Sequence, residues 1–343
     1  MARKAIVLFN LGGPDSFEAV EPFLFNLFYD PAIIRLPKPF RYLIAKLISR
    51  RRGPTAREIY GHLGGKSPLL EQTESQAEKL QNLLSTEDDE YEVFITMRYW
   101  HPRASDVVKK VKAFAPDEVI LLPLYPQFST TTSASSLKEW QEASKKEGLT
   151  APASSICCYP AEEGFVHAYT SLIELSLQEM TSEAPRLLFS AHGLPKKIVD
   201  GGDPYPFQVE KSVAAIVKKL NRPDLEHLVC YQSRVGPLEW IGPDTEEEIK
   251  RAGLEKKPLV VIPVAFVSEH SETLVELDIE YGELASEAGV PEYKRVPTVT
   301  VHDRFIEGLS NLVKNRKKGQ MTSSEGQIIC PSGSIGCPLI AGK

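Results

Sequence analysis

The sequence predicts an α/β protein of two similar lobes built on parallel sheets, and three pairs of matching segments carry that prediction. LFNLGGP (8–14) resembles LFSAHGLP (188–195), ITMRYWHP (95–102) resembles CYQSRVGP (230–237), and ILLPLYPQFSTTTSAS (120–135) resembles VVIPVAFVSEHSETL (260–274), all in the same order. A period this long is a duplicated domain rather than a solenoid. Around the matches, runs of β-branched residues alternate with helical patterns, as parallel strands buried on both faces require. The reading places a first lobe at 1–160, a second at 161–315 and a C-terminal extension at 316–343.

The totals suit such a fold. With 343 residues, 42% hydrophobic and 25% charged, the chain has the composition of a globular protein with a large core. A net charge of −6 argues against a nucleic-acid partner. The start MARKAIVLF imitates a signal peptide, but its apolar run is short and Gly12, Gly13 and Pro14 stand where a cleavage site would be. It is expected to be a first strand. No apolar run reaches the roughly 20 residues that span a bilayer, so the expected location is cytoplasmic.

The first lobe is longer than the second mainly between its first two matches. There the segment 17–52 concentrates Phe17, Phe23, Phe25, Phe28, Tyr29, Phe40 and Tyr42 and reads as an insertion rising from the strand ends. Its second part sets Phe40, Leu43, Ile44, Leu47 and Ile48 at helical spacing, with Arg41, Lys46, Arg50, Arg51 and Arg52 between or after them. Such a helix either packs its apolar face on the core or lies on an anionic membrane surface. GHLGGKSP (61–68) is not a phosphate loop, because Tyr60 stands where the motif needs glycine and Pro68 follows Ser67. With no G-x-G-x-x-G either, no nucleotide cofactor is expected.

In open α/β sheets, ligands sit beyond the carboxyl ends of the strands. Those ends supply Asn10, Arg98, Tyr99, Tyr125, Gln127 and Ser129 in the first lobe, and His192, Ser233, Arg234, Ser268, Glu269 and His270 in the second. After His270, Leu274, Leu277, Tyr281, Leu284 and Ala288 form an apolar helical stripe, while Glu272, Glu276, Glu280, Glu283 and Glu287 share another face. Like charges at this spacing repel by about 0.2–0.5 kcal/mol per pair. Either the face is solvated, or it is a track of oxygen ligands leading a divalent cation toward the histidines.

FSAHGLP with GGDPYPF, YQSRVGPLEWIGPDT and PVAFVSEHSETLVELDIEY, together with NLGGP, GGKSP and MRYWHP, resembles the ferrochelatase family over about 4–312. The resemblance implies two Rossmann-like lobes with parallel four-stranded sheets of chelatase type, and insertion of ferrous iron, as substrate, into protoporphyrin IX held between them. It implies His192 and Glu272 as the catalytic pair, with His192, Glu272, His270, Glu276 and Glu280 along the metal path. It also implies Asn10, Leu11, Tyr60, Ser67, Arg98, Tyr99 and Trp240 around the porphyrin, Tyr60 and Ser67 toward its propionates. The insertion would be an apolar lip at the membrane surface, giving peripheral contact with the inner membrane, and a monomer or homodimer is expected. The chemistry agrees with these residue types, since two weakly acidic pyrrole N–H protons must leave as the dication enters, and neutral imidazole accepts a proton near neutral pH. Chelation of another metal or tetrapyrrole, such as coproporphyrin III, and tetrapyrrole binding without catalysis stay open.

Of five cysteines, Cys230 lies inside a strand pattern and is expected in the core. Cys157, Cys158, Cys330 and Cys337 remain, and four thiolates are the usual ligand set of a [2Fe–2S] cluster. Many ferrochelatases resemble this with three cysteines in the tail; here there are two, so either the adjacent pair supplies both other ligands or a different group does.

Overall fold

The run AIVLF becomes the centre of a sheet because all five residues are apolar and both faces are covered: Ala5 to Leu8 are fully buried and Phe9 nearly so. The computed structural model describes residues 2–85, 89–234 and 236–341. Its strands are β1 (Arg3–Asn10), β2 (Glu90–Met97), β3 (Glu118–Pro123), β4 (Ala153–Cys158), β5 (Arg186–His192), β6 (His227–Gln232), β7 (Leu259–Pro263), β8 (Tyr293–Arg295) and β9 (Met321–Ser323).

The chain divides into two compact units, Met1–Tyr125 with Ser129–Cys157 and Val313–Thr322, and Pro126–Phe128 with Cys158–Leu312 and Ser323–Lys343. The first sheet has the order β2-β1-β3-β4-β9 and the second β6-β5-β7-β8. The pairings of β1 with β2 and β3, of β3 with β4, of β5 with β6 and β7, and of β7 with β8 are all parallel. Two parallel sheets of one topology are what the duplicated segments predict, and the four strands in each are what the family resemblance implies; the first gains a fifth, three-residue edge strand from the C-terminal segment.

In the first unit the insertion folds as two packed helices, Val20–Phe28 and Lys38–Gly61. The second turns the other way from a core-packing amphipathic helix. Its buried stripe is Arg41, Ala45, Ser49 and Gly53, at i+4 spacing, whereas Phe40, Leu43 and Leu47 are 61%, 63% and 67% exposed. Small side chains let the helices approach, and Arg41 is accommodated by donating to the Leu36 carbonyl at 2.8 Å with its guanidinium over the Tyr29 ring. Beneath them Val20, Phe23, Leu24, Tyr60 and Tyr99 form one buried cluster.

In the second unit the acidic segment is not α-helical at its start. Glu272–Glu280 is a π-helix, and only Tyr281–Ala288 is α-helical. A π-helix closes i→i+5 bonds and is wider than an α-helix. Its buried side therefore runs through Thr273, Val275 and Leu277 and continues through Tyr281 and Ala285, while Leu274, Leu284 and Ala288 of the expected stripe are only half-buried.

Candidate active site

His192 ends β5, opposite Gln232 of β6. Its Nδ1 lies 2.6 Å from the Gly193 carbonyl oxygen. A carbonyl only accepts, so Nδ1 carries the proton and the Nε2 lone pair is left free in the neutral ring. His270, on the loop after β7, repeats the device with its Nδ1 3.1 Å from the Ser268 carbonyl. Both Nε2 atoms face one carboxylate, Glu272, whose Oε1 is 3.6 Å from His192 and whose Oε2 is 3.6 Å from His270. Burial pushes the Glu272 carboxyl up, but the positive charge that the two imidazoles carry when protonated, and the Nε2–H that His270 then presents, outweigh it and hold it down to about 2.

One turn on, Glu276 takes a different set of partners. It accepts from the Ser233 N–H at 2.8 Å and hydroxyl at 2.5 Å, from Gln232 Nε2 at 2.9 Å and from the Tyr281 hydroxyl at 3.2 Å. Burial and the neighbouring Glu272 charge nevertheless push its carboxyl up. Ser233 makes both bonds from the left-handed backbone region, at φ +60°, which a side chain other than glycine rarely adopts. A third ionic group braces the same helix: Arg295 on β8 pairs with Glu269, just before it, and Asp278, within it. Glu280 is not part of the His192 group. It is exposed and lines an open recess with Glu246, Glu283 and Glu287.

The loop after His192 is held against Trp240. Leu194 and Lys196 exchange main-chain bonds with Ile241 and Glu239, and a Cβ at Gly193 would meet the Gln232 carbonyl oxygen at 3.0 Å and the Trp240 ring at 3.3 Å. Trp240 is half-buried, and its buried Nε1 has no hydrogen-bond partner among the described residues.

In the first unit the expected porphyrin residues divide. Arg98 and Tyr99 both bond Asp30, each at 2.8 Å, and Arg98 also donates to Ser135 at 2.7 Å. Tyr99 is 1% exposed, so it supports Arg98 and the aromatic cluster from within the core rather than offering a surface. Tyr60 is buried in that cluster too. The Asn10 amide is spent on Thr73 and the Leu11 N–H, and the Ser67 hydroxyl accepts from the Leu69 N–H. Leu11 is half-buried against the same aromatic cluster. Sequence reasoning missed Asp30 and Ser135, which no motif marks; an acid among aromatics beside Pro31 was the only signal.

The cysteines do not fit a cluster. Cys157 and Cys158 are consecutive on β4, and successive side chains on a strand point to opposite faces, so the two cannot serve one metal centre. Cys330 and Cys337 are mutual neighbours, and a hydrogen bond from Cys330 holds the Cys337 thiol down to about 6. Among the described residues no group of three or more His, Cys, Asp or Glu could hold a metal ion.

Comparison with known proteins adds a family to this geometry. The family model described as ferrochelatase matches residues 3–317. A ferrochelatase of Pelagibacter ubique is 51% identical over 98% of this chain and 99% of its own length, and one of Rickettsia bellii is 52% identical over 96% and 93%. Among solved structures, Bacillus subtilis SirB with Fe3+ aligns over 92% of this chain and 95% of its own with a TM-score of 0.53 at 12% identity, a likeness of fold.

Proposed function

The chain belongs to the ferrochelatase family and inserts iron into a porphyrin, and from that premise we propose that the porphyrin is protoporphyrin IX, that His192 accepts the displaced pyrrole protons, and that Glu272 balances the imidazolium so formed. The observation that carries the proposal is the Glu272 carboxylate facing two imidazole Nε2 atoms whose Nδ1 protons are fixed by carbonyls. A base with its lone pair pre-aimed and a counter-charge beside it is what proton removal from a weak acid requires. The side chain of His192 is 40% exposed, enough to meet a substrate on one side and shed its proton to water afterwards.

Among the described residues no group of three or more His, Cys, Asp or Glu is placed to hold a metal ion, so His192, His270 and Glu272 do not form a closed cage. That suits a metal ion that is substrate and must leave in the product. Glu276 continues the acidic path and exposed Glu280 lies at its outer end. On this reading the loop carrying Trp240 contacts the macrocycle.

The outward apolar face of Lys38–Gly61 supports peripheral membrane contact on the cytoplasmic side. Phe40, Leu43 and Leu47 project beside Lys46, Arg50, Arg51 and Arg52, a composition that seats on anionic lipid. No helix among the described residues is long and apolar enough to cross a membrane.

The test is anaerobic insertion of ferrous iron, with zinc as a second metal, into protoporphyrin IX and coproporphyrin III. A higher kcat/KM for protoporphyrin IX is expected, and the reverse preference overturns the substrate proposed. His192→Ala is expected to lose about 10²-fold or more in kcat while still quenching on porphyrin binding. Normal insertion by that variant overturns the role given to His192.

A further inference from the structure

Gln232, the last residue of β6, is 1% exposed and uses its whole amide. Its Oε1 accepts from the Ser190 hydroxyl at 2.8 Å. Its Nε2 donates at 3.0 Å to the main-chain carbonyl of Glu272 and at 2.9 Å to the carboxylate of Glu276. An amide has two N–H donors, so both are committed to the wide helix. Ser190 precedes His192 by two residues on β5 and shares its face of the sheet. One buried side chain thus joins the strand that carries the base to the first turn of the helix that carries its acidic partner.

We propose that Gln232 is a positioning residue for metal insertion, setting through these three hydrogen bonds the separation of the His192 imidazole and the Glu272 carboxylate. The inference rests on the His192–Glu272 reading above. The bond to the Glu272 carbonyl gives it a local mechanism. A side-chain donor inserted at a helix carbonyl competes with the main-chain N–H that would close an α-turn there, and such insertions distort helices. Here the helix that begins at Glu272 is a π-helix. Gln232 therefore holds Glu272 both by direct bonding and by favouring the wide turn. Hydrophobic side chains of similar length would fill the same volume without doing either.

Two full-length variants separate positioning from packing. Gln232→Met keeps length and loses all three bonds; Gln232→Glu keeps an acceptor for Ser190 but loses both donors and sets a carboxylate against Glu276. Misplacing a catalytic group by an ångström costs on the order of 10²-fold, so a fall in kcat of about tenfold or more is expected for Gln232→Met, with the protoporphyrin KM within about twofold. Gln232→Glu is expected to fall at least as far. A kcat for folded Gln232→Met within about twofold of the parent, with only the melting temperature lowered, assigns Gln232 to packing and overturns the proposal. If Gln232→Met does not fold, Ser190→Ala carries the test, because it removes the hydroxyl that orients the amide and leaves the amide in place. A several-fold loss of kcat at unchanged porphyrin KM is expected there, and an unchanged kcat overturns the proposal. His192→Ala run beside them distinguishes the two claims: if it inserts iron normally, the underlying reading fails, and if it is inactive while Gln232→Met is unimpaired, only the present inference fails.

Discussion

Oε1 of Glu272 and Nε2 of His192 stand 3.6 Å apart, each held by bonds that do not involve the other. His192 is fixed by the Gly193 carbonyl, and the Glu272 main chain by Gln232. The pair is therefore set before substrate arrives. Charge on the imidazole is stabilised where it forms, at no cost in reorganisation.

Removal of that charge partner has a signature in stability as well as in rate. The Glu272 carboxyl is held down to about 2 from an ordinary 4.5, so its contribution is complete above about 4.5 and is lost as the pH falls through 2. Glu272→Gln is expected to cost on the order of 2–3 kcal/mol at pH 5 and progressively less toward pH 2. Urea unfolding of parent and variant across pH 2–5 checks this: the two curves should converge on acidification. Parallel curves would mean that Glu272 is not held by the imidazoles.

Ser233 offers a case where two conservative replacements should differ. Its hydroxyl bonds the Glu276 carboxylate at 2.5 Å, while its φ of +60° is strained for any side chain. Ser233→Ala loses a hydrogen bond to a charged acceptor and keeps the strain, a cost of about 1.5–3 kcal/mol. Ser233→Gly loses the same bond but relieves the backbone, which returns about 1 kcal/mol. The glycine variant is expected to be the more stable of the two in denaturant titration.

These relationships also mark what the sequence could and could not disclose. β5 was legible because LLFSA is a buried run that ends at His192, and the repeat of one parallel sheet was legible because three segments recur in the same order. The wide helix was not, since i+4 spacing of glutamates satisfies an α-helix and a π-helix almost equally, and the choice is made by Gln232, about forty residues away in the chain. The exposed side of Lys38–Gly61 was undecided for a similar reason. Its buried stripe contains an arginine, an alanine, a serine and a glycine, which no hydrophobic pattern picks out, and only the helix Val20–Phe28 packed against it explains them. Gln232 carries no motif because its role consists entirely of partners distant in sequence.

The exposed face of Lys38–Gly61 gives a prediction in which binding and stability part company. Phe40→Gln, Leu43→Gln and Leu47→Gln together remove three side chains that are each more than 60% exposed, so the melting transition should stay within about 1 kcal/mol of the parent. Co-sedimentation with vesicles containing anionic phospholipid should fall sharply, and the binding that remains, carried by the retained Lys46, Arg50, Arg51 and Arg52, should be the more sensitive to salt. Undiminished sedimentation would remove this face from membrane contact.

The C-terminal segment is tied into the first unit by an ion pair that can be tested by breaking and by replacing it. Glu118 at the start of β3 is 2% exposed and accepts from Arg316 Nε at 2.9 Å, from Arg316 Nη2 at 2.5 Å and from Ser154 Oγ at 2.5 Å. Burial alone would raise the carboxyl, but Arg316 and Ser154 hold it below the ordinary 4.5, so its contribution is present above that pH and is lost on acidification. Arg316→Met leaves a buried carboxylate without its cation and is expected to destabilise by about 3–5 kcal/mol near neutral pH. Adding Glu118→Met removes the stranded charge, and because desolvating an ion pair offsets most of its attraction, the double variant should recover much of the loss. Chemical denaturation of the parent, the single variant and the double variant decides it. A double variant as unstable as the single one would show that the geometry of the pair, and not the isolated charge, fastens this segment to β3.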